Sequence, residues 1–145
     1  MSSRLTQTRL RFDNFDTSVE SGDLCRVQVT LSFAERTITA EAADVNEGIG
    51  PLRAAAKAAL NAVDRAVEGR IRCSLNDLDH VEALGKSLIA VLVDVVFEGR
   101  DVQVFGSCQI TGSTMDAAIK SALNATNRFV ELSMRAINLE NQSDR

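Results

Sequence analysis

The feature that most constrains this chain is that its second half repeats its first. Residues 91–102 align with residues 27–38 at an offset of 64, and residues 117–130 align with residues 54–67 at an offset of 63. The one-residue difference falls between the two aligned segments, where a loop tolerates a deletion and a helix or strand does not. A repeat of this size indicates one supersecondary unit that is used twice. Identical pairs include Lys57 and Lys120, Leu60 and Leu123, Asn61 and Asn124, and Arg65 and Arg128.

Each copy has the pattern of three strands followed by a helix. Residues 25–33 alternate apolar and polar side chains, as in a strand with one buried and one solvated face. Pro51 suits the first turn of a helix, where its missing N–H costs nothing, and Gly69 suits the position after a helix end. The first copy has predicted strands near 6–17, 25–33 and 37–43 and a helix over 52–67. The second copy has predicted strands over 71–80, 87–97 and 102–110 and a helix from 114 to about 137.

These elements predict an α+β protein made of two tandem β-β-β-α units related by a pseudo-twofold axis. One domain spans residues 1–145, with the first unit at about 5–69, the second at about 70–137 and a polar tail at 138–145. A three-stranded sheet with one helix covers one sheet face and leaves two strand edges, so the units must share a core or dock on a partner. The last helix also carries extra apolar residues, which favour a homodimer or higher oligomer. Those residues are Phe129, Leu132, Met134 and Ile137.

Composition and charge argue against several classes of partner. A net charge of −4 over 145 residues argues against nucleic acid and anionic membranes. Residues 1–5 lack the apolar core of a secretion signal, and no apolar run approaches the roughly 18 residues that a membrane-spanning helix needs. Three widely separated cysteines fit neither a disulfide framework nor a zinc site, and they suit a reducing compartment. We therefore expect a cytoplasmic protein.

Side chains able to carry catalysis are sparse. His80 is the only histidine and has no partner motif, so it does not indicate a catalytic or metal site. Asp13 and Asp16 recur as Asp77 and Asp79 at nearly the same place in the second copy, and they could be read as paired carboxylates for acid–base work or metal binding. Their repetition favours a structural cause, namely turns that end the first strand of each unit. We expect no catalytic residue, no metal and no cofactor.

Three segments resemble a known regulatory module. Residues 48–55 read Gly-Ile-Gly-Pro-Leu-Arg-Ala-Ala after a predicted strand, and residues 99–106 and 117–124 supply a similar strand, glycine and Ala-rich helix. This pattern is similar to the C-terminal regulatory (allosteric, dimerisation) domain of 2-isopropylmalate synthase and citramalate synthase. The resemblance covers residues 5–136. Arg53 departs from the acidic residue of the family motif, and the catalytic barrel of those enzymes is missing.

The resemblance implies a pair of β-β-β-α units that dimerises and binds an end-product amino acid at the two strand-to-helix loops. Glycines just before a helix free its first-turn N–H groups to face a carboxylate. The ligand side chain would then meet small apolar residues, and a larger residue at Gly50 would block the ligand while leaving the core intact. The residues expected to bind the ligand are Gly48, Ile49, Gly50, Pro51, Ala54, Ser113, Thr114 and Ala117.

Together these observations favour a non-catalytic regulatory module for a small amino-acid-like metabolite, such as a branched-chain amino acid or a related acid. It would sense that effector itself or act in trans on a separately encoded synthase. The alternative is a structural or assembly subunit that keeps the fold without a ligand. An enzyme ranks third, because no nucleophile–base pair or metal cluster can be named.

Overall fold

The computed structural model describes residues 10–20, 22–33 and 35–143. The predicted element order, three strands and a helix occurring twice, is confirmed. In chain order the elements are β1 (Arg11–Glu20), β2 (Leu24–Phe33), β3 (Arg36–Val45), α1 (Gly50–Ala66), β4 (Ile71–Ala83), β5 (Lys86–Phe97), β6 (Arg100–Gln109) and α2 (Thr114–Ser143).

The strands form two antiparallel sheets, with order β1-β2-β3 in the first and β4-β5-β6 in the second. The edge strand β1 shifts register between Phe12 and Asn14, and β4 shifts register between Leu75 and Asp77. These two irregularities lie 63 residues apart, so each sheet has its extra residue at the same place in the sequence repeat. A bulge leaves one residue unpaired and increases local twist, and both sheets use it in the first strand.

Tight turns join the strands of the second sheet. Leu84 and Gly85 both have positive φ (53° and 75°), as do Glu98 and Gly99 (51° and 76°). Two successive positive φ angles define the two-residue hairpin turn that matches the twist of the flanking strands. The short turns account for strands that run further than predicted, with β4 continuing to Ala83.

The core lies between the inner sheet faces and the two helices. The inner side chains of β2 are fully buried, as the alternation over residues 25–33 predicted, and the inner side chains of β5 are buried as well. Leu60 and Val63 of α1 are also buried, and so is Val67 just after the helix. Helix α1 packs on β2 and β3 and also contacts α2 and β4. Because seven of its alanines are buried, the helix can be approached closely from several sides. The buried inner residues of the two central strands are Val27, Val29 and Leu31 in β2, and Ile89, Val91, Val93 and Val95 in β5.

Helix α2 extends past the predicted end near residue 137 and reaches Ser143, so described residues of the polar tail 138–145 are helical. One contact lies in the extension itself, the ion pair between Glu140 and Arg70. Earlier in α2, Phe129 packs edge-on against Phe97 with ring centroids 5.4 Å apart. Met134 is 2% exposed, so much of the predicted surplus apolar end is covered by the chain itself. In the ranges described, neither helix combines the length and apolar character needed to cross a membrane.

Candidate functional site

The first predicted loop closes tightly on the end of β3. The Gly50 N–H donates a 3.0 Å hydrogen bond to the Glu47 carbonyl oxygen, and Pro51 is in the first turn of α1. A Cβ atom at Gly50 would overlap the carbonyl of Val45. The expectation that a larger residue at Gly50 would leave the core intact is therefore wrong, because glycine is required there for chain packing.

The second predicted loop has a cap of its own. The Ser113 hydroxyl oxygen accepts hydrogen bonds from the N–H groups of Met115 (3.1 Å) and Asp116 (3.2 Å). The Ala117 N–H donates to the Ser113 carbonyl oxygen at 3.2 Å. This is the ordinary serine cap of a helix start, and it occupies amides that a ligand carboxylate would use.

The remaining predicted ligand contacts are divided between surface and core. Ile49 is 42% exposed, whereas Ala54 is fully buried and Ala117 is 2% exposed. Gly48 is exposed with a φ of 58°, and Thr114 is exposed at the first position of α2. The two alanines are therefore closed to a ligand in this structure, and a site at these loops stays a prediction.

A cavity of about 420 Å³ lies where the C-terminal half of α2 passes the start of β4 and the β5–β6 turn. Sequence reasoning missed it. Its position corresponds to the part of α2 that has no counterpart in α1, and this difference in helix length was the available signal. The lining residues are Arg70, Phe97, Glu98, Leu132, Ser133 and Ala136.

Ser133 is the unusual group in this cavity. Its side chain is fully buried, and its hydroxyl oxygen is the buried side-chain polar atom without a hydrogen-bond partner in the described part of the chain. The other buried hydroxyls of α2 are satisfied locally: Ser121 donates to the Ala117 carbonyl at 2.7 Å, and Thr126 donates to the Ala122 carbonyl at 3.1 Å. An unpartnered buried hydroxyl costs about 1–3 kcal/mol, which a hydrogen-bonding ligand would recover.

Charged side chains of both signs line the same cavity as this hydroxyl. Arg70, with 31% of its side chain exposed, is paired with Glu140, and Glu98 lies on the β5–β6 turn. Phe97 and Leu132 line the cavity with apolar side chains. A guanidinium beside a carboxylate and an apolar surface is the set of groups that recognises a small zwitterion or organic acid with an aliphatic side chain.

The groups that could support chemistry lie elsewhere. His80 is exposed, with its Nε2 3.8 Å from a Glu82 oxygen. No group of three His, Cys, Asp or Glu side chains in the described ranges could hold a metal ion. Cys73 and Asp64 are both strongly perturbed: burial raises the pKa of the Asp64 carboxyl to about 6 and raises the pKa of the Cys73 thiol. Asp64 accepts a 3.1 Å hydrogen bond from the Cys73 N–H, so the pair joins α1 to β4.

Asparagines that are identical in the two copies, and the charged residues near the first loop, also have structural roles. Asn61 and Asn124, identical in the two copies, each donate from the side-chain amide to a backbone carbonyl of the third strand of their unit, at 3.0 and 2.9 Å. Arg53 lies 3.6 Å from Asp44, which also accepts a 2.7 Å hydrogen bond from Lys57. Burial raises the pKa of Asp44, but the two cations and the Val45 N–H outweigh it and hold that pKa below its ordinary value.

Neither the family models nor the curated proteins include a match to this chain. The cavity around Ser133 and the arrangement of the two sheets are therefore the observations from which a function can be argued.

Proposed function

We propose that this chain is a non-catalytic regulatory module that binds a small amino-acid-like metabolite, a branched-chain amino acid or a related 2-oxo acid. The proposed site is the cavity at Ser133 rather than the two strand-to-helix loops. The observation that carries the proposal is the buried, unpartnered Ser133 hydroxyl on a cavity that also has an arginine. In its regulatory role the module senses the metabolite or acts in trans on a separate synthase.

The groups fit such a ligand one by one. The ligand carboxylate would accept hydrogen bonds from Arg70 and from the Ser133 hydroxyl. The ammonium of an amino acid would face Glu98, and its branched side chain would pack on Phe97 and Leu132. A volume of about 420 Å³ lies within the range of small-molecule sites.

The size of the ligand sets the expected affinity. A ligand of about nine heavy atoms, at roughly 0.5–0.8 kcal/mol each, reaches a millimolar to micromolar Kd. This range suits a sensor of metabolite levels.

A matched pair of serine variants tests this site. We expect Ser133→Ala to fold as well as the natural chain, because its hydroxyl has no partner to lose, and to abolish the thermal shift produced by ligand. Ser121→Ala removes a hydroxyl bonded to the Ile89 and Ala117 carbonyls. It should lower the melting temperature by about 2–4 °C per kcal/mol lost while keeping the ligand-induced shift.

The measurement is a thermal-shift and calorimetric panel of branched-chain amino acids and 2-oxo acids at about 10 mM, well above a millimolar Kd. A natural chain without heat or shift for any of these compounds contradicts the sensor function. The structural or assembly subunit would then be the better proposal, and it is favoured by a separate observation, the 69% exposure of Phe105 on a sheet face.

A further inference from the structure

The outer face of the second sheet, which points away from the helices, has a shallow recess of about 240 Å³. Apolar side chains of β5 and two carboxylates of β4 line the recess, and an aromatic side chain of β6 stands beside them. That aromatic residue, Phe105, is 69% exposed. The recess thus brings acidic, apolar and aromatic groups together. Its lining includes Asp77, Asp79, Ala90, Leu92 and Phe105.

The strand register places the acidic and aromatic groups on opposite sides of Leu92. Asp77 of β4 and Phe105 of β6 both pair with Leu92, and Asp79 pairs with Ala90. Neighbouring strands are about 4.8 Å apart, so a group above Leu92 is about 5 Å to the side of each flanking strand. A cation attracts an aromatic ring within about 6 Å. An ammonium or guanidinium above Leu92 therefore meets a carboxylate on one side and a ring on the other.

The two carboxylates of the recess have no ion-pair partner in the described part of the chain. Asp77 and Asp79 each accept a 2.8 Å hydrogen bond from the N–H of the residue that follows. The nearest cations along the sheet are Arg72, which pairs with Val96, and Lys86 at the start of β5. Each is about 14 Å along the strands from the recess. The recess is therefore acidic as well as apolar.

The acidic groups of the equivalent face on the first sheet are paired instead. Glu41, which lies 64 residues before Phe105, forms an ion pair with Arg26, and so does Glu20. The residue aligned with Arg26 in the second copy is Ala90. The second sheet thus has alanine in place of the arginine and phenylalanine in place of one glutamate. A sheet face that stays in water ordinarily has polar residues, so a cation with apolar neighbours would complete this face from outside.

The size of the recess fits one side chain better than a free ligand. Small-molecule sites usually have volumes of about 300–1,000 Å³ and enclose most of the ligand. This recess is smaller and open, and an ion pair in such an exposed place contributes little by itself. A lysine or arginine that belongs to a protein segment brings apolar neighbours with it, and these can cover Phe105 and Leu92 at the same time.

From these observations we infer that the outer face of the second sheet docks a basic segment of a partner protein, with a lysine or arginine above Leu92 between Asp77 and Phe105. The stem of that side chain packs on Ala90 and Leu92, and an apolar residue of the segment covers Phe105. Charge and apolar surface are complementary together, so an acidic segment does not bind. This surface shares no lining residue with the Ser133 cavity, and it does not depend on a ligand there.

Fluorescence anisotropy with a labelled amphipathic leucine–lysine peptide of about 14 residues tests the docking surface. The full chain is added up to about 500 µM at about 50 mM salt, where screening is weak. The peptide should bind with a micromolar Kd, and a leucine–glutamate peptide of the same length should not bind. Spermidine has cationic groups without apolar side chains, so it should not displace the peptide at equal concentration.

Phe105→Glu distinguishes the recess from a general attraction between an acidic chain and a basic peptide. The added negative charge by itself tightens binding, yet loss of the ring should weaken binding about 5-fold or more. Asp77→Asn should weaken it about 3-fold. Asp16→Asn is the matched control, because Asp16 pairs with Gln28, the residue aligned with Leu92, and makes the same change in charge. It should leave the Kd unchanged.

A leucine–lysine peptide that does not bind at about 500 µM chain overturns the inference. So does binding that Phe105→Glu tightens or leaves unchanged, or that Asp77→Asn and Asp16→Asn weaken equally, because either result indicates net charge alone. Spermidine that binds as tightly as the peptide assigns the recess to a small cation and also overturns the docking surface. Circular dichroism of each variant, expected to match the natural chain, shows that the fold is kept.

Discussion

At the scale of single residues, burial of Asp64 has the clearest energetic consequence. The carboxyl lies between α1 and β4, and burial raises its pKa to about 6 from an ordinary 3.8, while its hydrogen bond with Cys73 opposes the shift. A folded-state pKa above the unfolded value means that the folded protein binds this proton more tightly. The contribution of Asp64 to the free energy of unfolding is therefore largest where Asp64 is protonated. This contribution falls as the pH rises from about 4 through 6.

The aligned residue in the second copy offers the matching substitution, because position 127 is an asparagine. We expect Asp64→Asn to raise the melting temperature at pH 7.5, since the amide oxygen still accepts from Cys73 and no charge is buried. The gain should be about 1 kcal/mol, reduced from the full pKa shift because the carboxylate is partly solvated. Thermal melts at pH 7.5 and pH 4.5 check this, and a gain that persists at pH 4.5 would contradict it.

At the scale of elements, the closeness of α2 to β6 depends on one small residue. Gly106 faces the helix, and a Cβ atom there would overlap the Ser121 carbonyl and lie 2.7 Å from the Ala125 Cβ. Ser121 also donates a 2.8 Å hydrogen bond to the Ile89 carbonyl of β5. The helix therefore rests directly on the backbone of the second sheet, and its position is set by glycine and serine as well as by larger apolar side chains.

Gly106→Ala should destabilise the protein by about 1–3 kcal/mol, because the added methyl group forces α2 away from β6. Urea denaturation measures the change as a lower midpoint with a similar slope. Gly112→Ala is the matched control, since a Cβ atom at Gly112 meets no other atom within 4 Å. Equal midpoints for the two variants would show that the helix tolerates the methyl group.

At the scale of the whole molecule, the two units share one core. Helix α1 packs on its own sheet with one side and contacts α2 and β4 with others. Its buried residues include Ala55, Ala58 and Ala62 as well as Val63, all at 0% exposure. A unit cut from the chain would expose part of this surface, and a three-stranded sheet with one helix has little other apolar burial to replace it.

We therefore expect residues 1–69 alone to lack a cooperative thermal transition, although they contain a complete strand-strand-strand-helix unit. Mixing them with residues 70–145 should restore the circular dichroism and the transition of the intact chain. A cooperative melt of the first fragment by itself would show that each unit has an independent core.

The order of the elements and the facing of their side chains were determined by the sequence alone, because both depend on neighbours within a few residues. Alternation along β2, the Pro51 and Gly69 signals around α1, and the repeat at offsets of 63 and 64 are all local patterns. The ligand site at the two strand-to-helix loops and the identity of the ligand as an amino acid remain predictions.

Only the tertiary structure decided which surfaces meet. Ser133 looks like an ordinary helical serine in sequence, yet its hydroxyl is buried without a partner, and it lines a cavity together with Phe97, Arg70 and Glu98 of the β5–β6 turn. Gly50 looks like a ligand-loop glycine, yet the nearby Val45 carbonyl is what excludes a side chain there. Contacts between residues distant in the chain depend on how elements pack in space, and periodicity contains no information about that packing.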